Sequence, residues 1–353
     1  MAERKMVSVQ EIAGIYPVKD ADRIEKAKVL GWIVVVGKDM GLKPGDHVAY
    51  FEVDCLLPAD DPRYAAFQKR GVKTLIVEDP NTGKDVEVSG HVLRTVRLRG
   101  TYSQGLIMPL SELGIDPETP VGADVTREAG VYKYEELPPL RGGDMIGPFG
   151  SAYASKSDAP RLQNLTDVWS ELVGLRATPT VKVDGTSTTI ARDDNGIAHV
   201  YSRNWEIKPE CTNMVVAQRD GLVDALEPGM AIQFELVGLG IQSNRLKLRR
   251  PTPFVFAVWR NHRKINRSDW PQACLNHAVP VLDAARWRLE GSVEDMVAKV
   301  DGLRGCVTDG VLDEGIVWHL DADQLLSSDV AGRLSANRCF KIINNKYLLK
   351  HGL

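Results

Sequence analysis

Thr180-Val181-Lys182-Val183-Asp184-Gly185-Thr186-Ser187-Thr188-Thr189-Ile190 decides how the rest of the chain is read. β-Branched residues dominate it, so Thr180 to Ile190 is expected to be a strand. Alternate side chains of a strand share a face, which would set Lys182 beside Asp184. Lys-x-Asp-Gly alone is a weak signal, because a strand ending in an Asp-Gly turn accounts for it equally well. Ser187, Thr188 and Thr189 could suggest a hydroxyl nucleophile, but no local His/Asp arrangement accompanies them.

The weight comes from further segments in a fixed order. Tyr201-Ser202-Arg203-Asn204 is followed by Gln233-Phe234-Glu235-Leu236-Val237-Gly238. There an acid sits in an apolar run, which is costly unless the carboxylate finds a partner. Phe254-Val255-Phe256-Ala257-Val258 reads as a buried strand with two aromatics on one face. Asp313-Glu314-Gly315-Ile316-Val317-Trp318 repeats the device of acid before apolar strand, and Phe340-Lys341-Ile342-Ile343-Asn344-Asn345-Lys346-Tyr347 supplies two lysines. Each has a plain alternative: Glu235 as a buried partner of Arg203, Glu314 as a turn residue, Lys341 as a surface lysine, and Arg161-Leu162-Gln163-Asn164 as an exposed helix start.

The chain of 353 residues is longer than one comfortable core, so two domains are expected. From Met6 to about Val125 short apolar runs alternate with turn chemistry: Val29–Gly37, Asp46–Val53, Leu75–Glu78, Val92–Leu98 and Gly105–Leu110. Several strands in this length imply a small barrel or sandwich. Val96-Arg97-Leu98-Arg99 would carry two arginines on one strand face, with Tyr102 close by; they fit either a phosphate-contacting surface with a stacking ring or a solvated strand face. Residues 132–160 are rich in Pro, Gly and Ser and read as a boundary. Beyond it, a helix or two within Asp158–Leu175, strands at Ala198–Tyr201, Met230–Leu236, Phe254–Trp259 and Gly315–His319, and a helix at Val293–Asp301 indicate an α+β domain with a mainly antiparallel sheet.

Charge excludes one class of protein. Lys plus Arg number 44 against 47 Asp plus Glu, a net charge of −3, so any nucleic-acid surface is local rather than a uniform basic coat. The five cysteines never fall in a Cys-x-x-Cys spacing and read as reduced core residues. No His-Glu-x-x-His or Cys/His cluster points to zinc, whereas a magnesium site of carboxylates and waters remains open. No apolar run of membrane-spanning length or signal-peptide type occurs, and a cytoplasmic or other reducing compartment is expected.

Pro17 to Gly31, and again Arg99-Gly100 with Ser103-Gln104-Gly105, resemble the OB domains of tRNA-binding modules. The ordered segments from Lys182 to Lys346 resemble the covalent nucleotidyltransferase superfamily of polynucleotide ligases and capping enzymes. The whole chain is most similar to RNA ligase family 5, the Naegleria-type ATP-dependent nick-sealing RNA ligases. That resemblance implies an α+β fold with an OB-type β-barrel over residues 1–135, a linker over 136–160, and an antiparallel-sheet nucleotidyltransferase (adenylylation) domain over 161–353.

The resemblance also implies roles. Lys182 would attack the α-phosphate of ATP and carry AMP; Glu235, Glu314 and Lys341 would complete the catalytic set. Asp184, Glu235 and Glu314 would hold Mg2+ or Mn2+, largely through waters. Val181, Gly185, Arg161 and Arg203 would contact ATP, Phe256 (or Phe254, if the register shifts by two) would stack on adenine, and Lys341 with Lys346 would face the α-phosphate. Ile343 stands where many ligases have a second lysine. Asn204, Arg97, Arg99 and Tyr102 would contact RNA, the partner being a nicked RNA-containing duplex, with no membrane and no obligatory protein partner. A lysine must be neutral to attack phosphorus, so a depression of roughly three units from an ordinary pKa of about 10.4 is expected at Lys182. The alternatives are an ATP-dependent DNA ligase, a GTP-dependent mRNA guanylyltransferase, both of which usually carry the OB domain after the lysine, and an idle RNA-binding protein.

Overall fold

The computed structural model describes residues 4–78, 85–135, 144–150 and 152–353. The Pro138-Pro139 and Arg141-Gly142-Gly143 motifs lie outside the described residues. The chain divides into two compact units, one of Met1–Glu136 with Leu348–Leu353 and the other of Leu137–Tyr347.

In the first unit a five-stranded antiparallel sheet runs in the order Leu106–Pro109, His47–Phe51, Val7–Pro17, Ile24–Val29, Trp32–Gly37. Val7–Pro17, which was not singled out in the sequence, is its central strand. Successive residues of His47–Phe51 serve different cores: Val48 and Tyr50 pack with Trp32 and Val34, while Ala49 and Phe51 pack with Val7, Val9 and Tyr64. Burial of both faces explains the continuous apolar run in place of alternation. A four-stranded sheet of Tyr132–Lys133, Cys55–Pro58, Asp85–Val92 and Lys73–Glu78 completes this OB-fold unit.

Some expected strands are subdivided. Val29–Gly37 contains a hairpin in which Val29 faces Trp32 around Leu30, whose φ is 52°. Val96–Leu98 and Thr101–Ser103 form their own hairpin, turned at Arg99 and Gly100, both at positive φ. Arg99 is therefore a turn residue and does not share a strand face with Arg97. Across the hairpin Arg97 lies opposite Tyr102, its guanidinium 5.4 Å from the ring centroid, so cation and ring are already engaged with each other.

The second unit holds two antiparallel sheets. Seven strands run in the order Met145–Pro148, Trp205–Ile207, Ala198–Tyr201, Thr186–Arg192, Met230–Val237, Thr252–Arg260, Arg263–Lys264; three run in the order Ala177–Lys182, Gly315–Leu320, Cys339–Ile343. Met145–Pro148 falls in the segment expected to be linker, yet it pairs with Trp205–Ile207 as an edge strand. Ile232, Phe234 and Leu236 pack into the core under the larger sheet with Met214 and Leu222. Ile316, Trp318, Phe340 and Ile342 pack under the smaller sheet with the Val293–Val300 helix, which Ser292 and Asp295 cap reciprocally.

The expected single strand Thr180–Ile190 is two strands in different sheets. Ala177–Lys182 ends in the smaller sheet, Val183-Asp184-Gly185 crosses over, and Thr186–Arg192 begins in the larger one. Lys182 and Asp184 consequently do not share a strand face.

Candidate active site

Strand parity places the polar groups. With Ile232, Phe234 and Leu236 committed to the core, Gln233 and Glu235 point to the opposite face; with Ile316, Trp318, Phe340 and Ile342 committed, Val317, His319, Cys339 and Lys341 do the same. These faces line a cavity of about 160 Å3 together with Val181, Lys182, Ser187, Arg203 and Phe256.

Lys182 stands at the end of its strand with Gly315 as its ladder partner, and its Nζ donates to Glu314 Oε2 across 2.6 Å. Its side chain is 24% exposed, so it is reachable from the cavity. Burial is the largest single influence on its proton and would drive it off, yet Glu314, Glu235 and the hydrogen bond together outweigh burial and hold Lys182 above the ordinary lysine range. The expected depression is thus not found at Lys182. It falls on Lys341 instead, pushed down to about 7 by burial and by the nearby charges of Lys182, Arg161 and Arg203, with Asp158 opposing.

The carboxylates carry the complementary strain. Burial first, then Glu314 and Asp184, push Glu235 up to about 8 against the pull of Lys182. Burial and Asp184 likewise raise Glu314, although Lys182 and Lys341 oppose them. Glu235 Oε1 accepts from the Gly185 N–H at 3.0 Å. That approach needs a glycine: a Cβ on Gly185 would lie 2.3 Å from the Leu236 carbonyl oxygen.

Asp184 turns elsewhere. Arg245 donates to its Oδ2 at 2.6 Å, the Tyr347 hydroxyl donates to the same oxygen, and the Arg245 guanidinium lies 6.0 Å from the Tyr347 ring centroid. Among the described residues no group of three or more His, Cys, Asp or Glu side chains converges as a metal cage.

The remaining expected residues separate into those at the cavity and those beside it. Val181, Arg203 and Phe256 line it, whereas Phe254 is not among the lining residues. In the ladder Gln233 faces Ala257 and Phe234 faces Val255, so Phe256 is the extra, bulged residue of its strand and falls between two ladder pairs. Arg203 is bound to Asp158 at 2.5 Å rather than by a salt bridge to Glu235. Arg161 forms a parallel bridge with Lys341, whose N–H donates to Pro160 O at 2.9 Å. Asn204 accepts from Lys156 Nζ at 3.3 Å, next to the cavity.

Lys346 is a correction. The strand ends at Ile343, buried at 3% exposure, and the Asn345–His351 helix begins two residues later. Lys346 is carried onto that helix, where its ammonium lies 3.8 Å from Asp301 with half its surface exposed, outside the cavity.

Sequence reasoning missed several lining groups. Gln233 is fully buried, donates to Ser155 O and accepts from the Trp259 indole, and its position two residues before Glu235 was signal enough. Ser157, Asp158 and Ala159 lie in the supposed linker but line the cavity, tied down by Asn337, which donates to Lys156 O and Asp158 O. Lys264 and His319 had no local signature. Of the five cysteines, Cys55, Cys274 and Cys339 are buried, while Cys211 and Cys306 are partly exposed. No helix among the described residues is long and apolar enough to cross a membrane.

Comparison with known proteins gives a consistent set of likenesses. Residues 178–343 match a family model described as RNA ligase, and residues 6–110 match one described as an OB-fold domain. Among solved structures, a ligand-free variant of Naegleria gruberi RNA ligase is 30% identical, with 100% of this chain and 99% of that one covered and a TM-score of 0.79. A variant of the same ligase with AMP and Mn is 30% identical over 99% of each chain, with a TM-score of 0.80. Another, with ATP and Mn, is 29% identical over 99% of each, also at 0.80. No curated protein sequence matches the chain.

Proposed function

As a member of the RNA ligase family that includes the Naegleria gruberi enzyme, the chain is an ATP-dependent polynucleotide ligase, and we propose that it seals 3′-hydroxyl/5′-phosphate nicks in RNA-containing duplexes through AMP carried on Lys182. The observation that carries this reading is the Lys182–Glu314 pair, a reachable amine bonded to a carboxylate in a cavity that Glu235 and Phe256 also line.

In the first step the Lys182 Nζ lone pair attacks the α-phosphorus of ATP. The bond to the bridging oxygen breaks and pyrophosphate leaves with its electrons. Lys182 must first lose a proton, and Glu314 Oε2, at 2.6 Å, is placed to receive it. Lys341 and Arg203 line the same cavity and would face the phosphates, where their charge offsets what develops on the oxygens. Phe256 and Val181 would flank the base. In the second step a 5′-phosphate oxygen displaces Lys182 from the AMP phosphorus. In the third, a 3′-hydroxyl attacks the activated 5′-phosphorus and AMP departs.

The donor set fits a divalent cation of the Mg2+ or Mn2+ type in part. Glu235 and Glu314 are hard oxygen donors whose pKa values are raised above all by burial, a cost that a bound cation would offset, and magnesium needs few direct protein ligands because it keeps its waters. Asp184, committed to Arg245 and Tyr347, does not fit as a third donor; its part is to hold the crossover segment. When bound, the cation supplies positive charge that competes with the Lys182 ammonium for the glutamates and neutralises phosphate oxygens.

Arg97 with Tyr102 in the OB-fold unit, the Arg99 turn beside them, and Asn204 near the cavity are assigned to RNA contact; phosphate contacts make binding weaken as salt rises. The test is sealing on nicked duplexes with RNA or DNA on either side. Closure when the 3′-hydroxyl strand is RNA supports the reading. Formation of enzyme–AMP with no closure of any nicked duplex overturns the substrate assignment.

A further inference from the structure

A second cavity of about 60 Å3 shares Thr180, Phe256, Lys264, Val279 and His319 with the first and none of Lys182, Glu235, Arg203 or Lys341. Those five shared residues therefore mark the end of the pocket away from the reacting groups. Three of them form a hydrogen-bond chain with a fixed direction. Lys264 Nζ stands 2.9 Å from Asn337 O and 3.0 Å from His319 Nδ1. Burial lowers the Lys264 pKa; where the lysine keeps its proton the ammonium can only donate, so that Nδ1 accepts and the imidazole proton sits on Nε2. Nε2 then faces Thr180 Oγ1 at 3.0 Å, and the threonine hydroxyl passes its own proton to Val317 O at 3.3 Å. Burial, and then the charges of Lys264 and Arg267, keep His319 neutral as this order requires.

The chain leaves one thing over. An ammonium carries three protons, and two of those of Lys264 are engaged; among the described residues no acceptor takes the third and no carboxylate pairs with the charge. Burying such a cation is costly, and a hydrocarbon side chain could fill the same space without that cost. Lys264 lines the first cavity together with Thr180 and Phe256.

We propose that Lys264 reads the purine of the bound nucleotide by donating its third proton to a ring nitrogen, while His319 and Thr180 hold the ammonium in place. Adenine offers N1, N3 and N7 as acceptors, whereas the N1 of guanine carries a proton and would oppose a donor. The inference rests on the cavity being the ATP site.

The experiment follows enzyme–AMP formation with ATP and its 1-deaza, 3-deaza and 7-deaza analogues, on wild type and on Lys264→Met. In wild type one analogue should raise KM by about tenfold or more, the scale of a hydrogen bond to a charged group, with kcat less affected. In Lys264→Met, ATP should bind worse by a similar factor and that analogue should carry no further penalty. Equal analogue penalties in both proteins would overturn the proposal, because a purely structural lysine leaves the base contacts independent. Should the variant fail to fold, the absence of any deaza penalty in wild type overturns it alone. Absence of enzyme–nucleotide with every substrate would instead sink the ATP-site reading.

Discussion

Lys182 and Glu314 are held together twice, by the 2.6 Å contact between their side chains and by the ladder that sets Lys182 opposite Gly315, the residue after Glu314. The second constraint makes the first robust, because the strands fix the carboxylate beside the amine before any ligand arrives. In this arrangement the charges of Glu314 and Glu235 hold Lys182 above the ordinary lysine range against the effect of burial. The reactive amine must be produced inside the complex, and Glu314 is the nearest group to receive its proton.

Replacing Glu314 by Gln keeps the shape and removes both the charge and the proton acceptor. Enzyme–AMP formation should slow by about a hundredfold or more, the usual scale for a lost general base. Single-turnover label transfer measures it. A rate within a fewfold of wild type would show that Glu314 plays no part in proton removal.

Lys341 predicts a proton linkage. Its pKa of about 7 leaves it mostly neutral near pH about 8, and phosphates beside it would restore its charge, so nucleotide binding should take up a proton there. Binding should weaken as pH rises above about 7. Calorimetry with a non-transferable ATP analogue, in two buffers of different ionisation enthalpy, reads the uptake, and Lys341→Met should abolish it. For folding, burial of Lys341 opposes its charged form. Its contribution to stability is full above the ordinary value of 10.5 and is lost as pH falls through about 7.

Gly185→Ala tests the crossover. The added Cβ would meet a backbone oxygen of Leu236 at 2.3 Å, which no side-chain rotation relieves. The Gly185 N–H should move off Glu235, with a loss of roughly 1–3 kcal/mol in denaturant unfolding and a marked fall in adenylylation. Unchanged stability would mean that the segment has slack the structure does not suggest.

Much of the site was legible because strand parity is local. Glu235 between Phe234 and Leu236, and Lys341 between Phe340 and Ile342, announce their outward faces by the core residues that flank them. Lys182 and Asp184 misled for the converse reason. Periodicity assumes one strand, whereas these two residues straddle a crossover between sheets, and it is Arg245 and Tyr347, distant in sequence, that claim Asp184. Lys264, His319 and Thr180 meet from three separated segments, so no spacing in the chain could reveal their hydrogen-bond chain. Lys346 was misplaced because the end of a strand and the start of a helix at Asn345 redirect a side chain that counting residues alone keeps in line.

The most direct measurement is transfer of label from α-labelled ATP to purified protein, followed by peptide mapping, on wild type and on Lys182→Ala with its fold checked by circular dichroism. The account predicts one AMP per wild-type chain, attached at Lys182, and none on the folded variant. Label retained by Lys182→Ala, or mapped to any other residue in wild type, would contradict it.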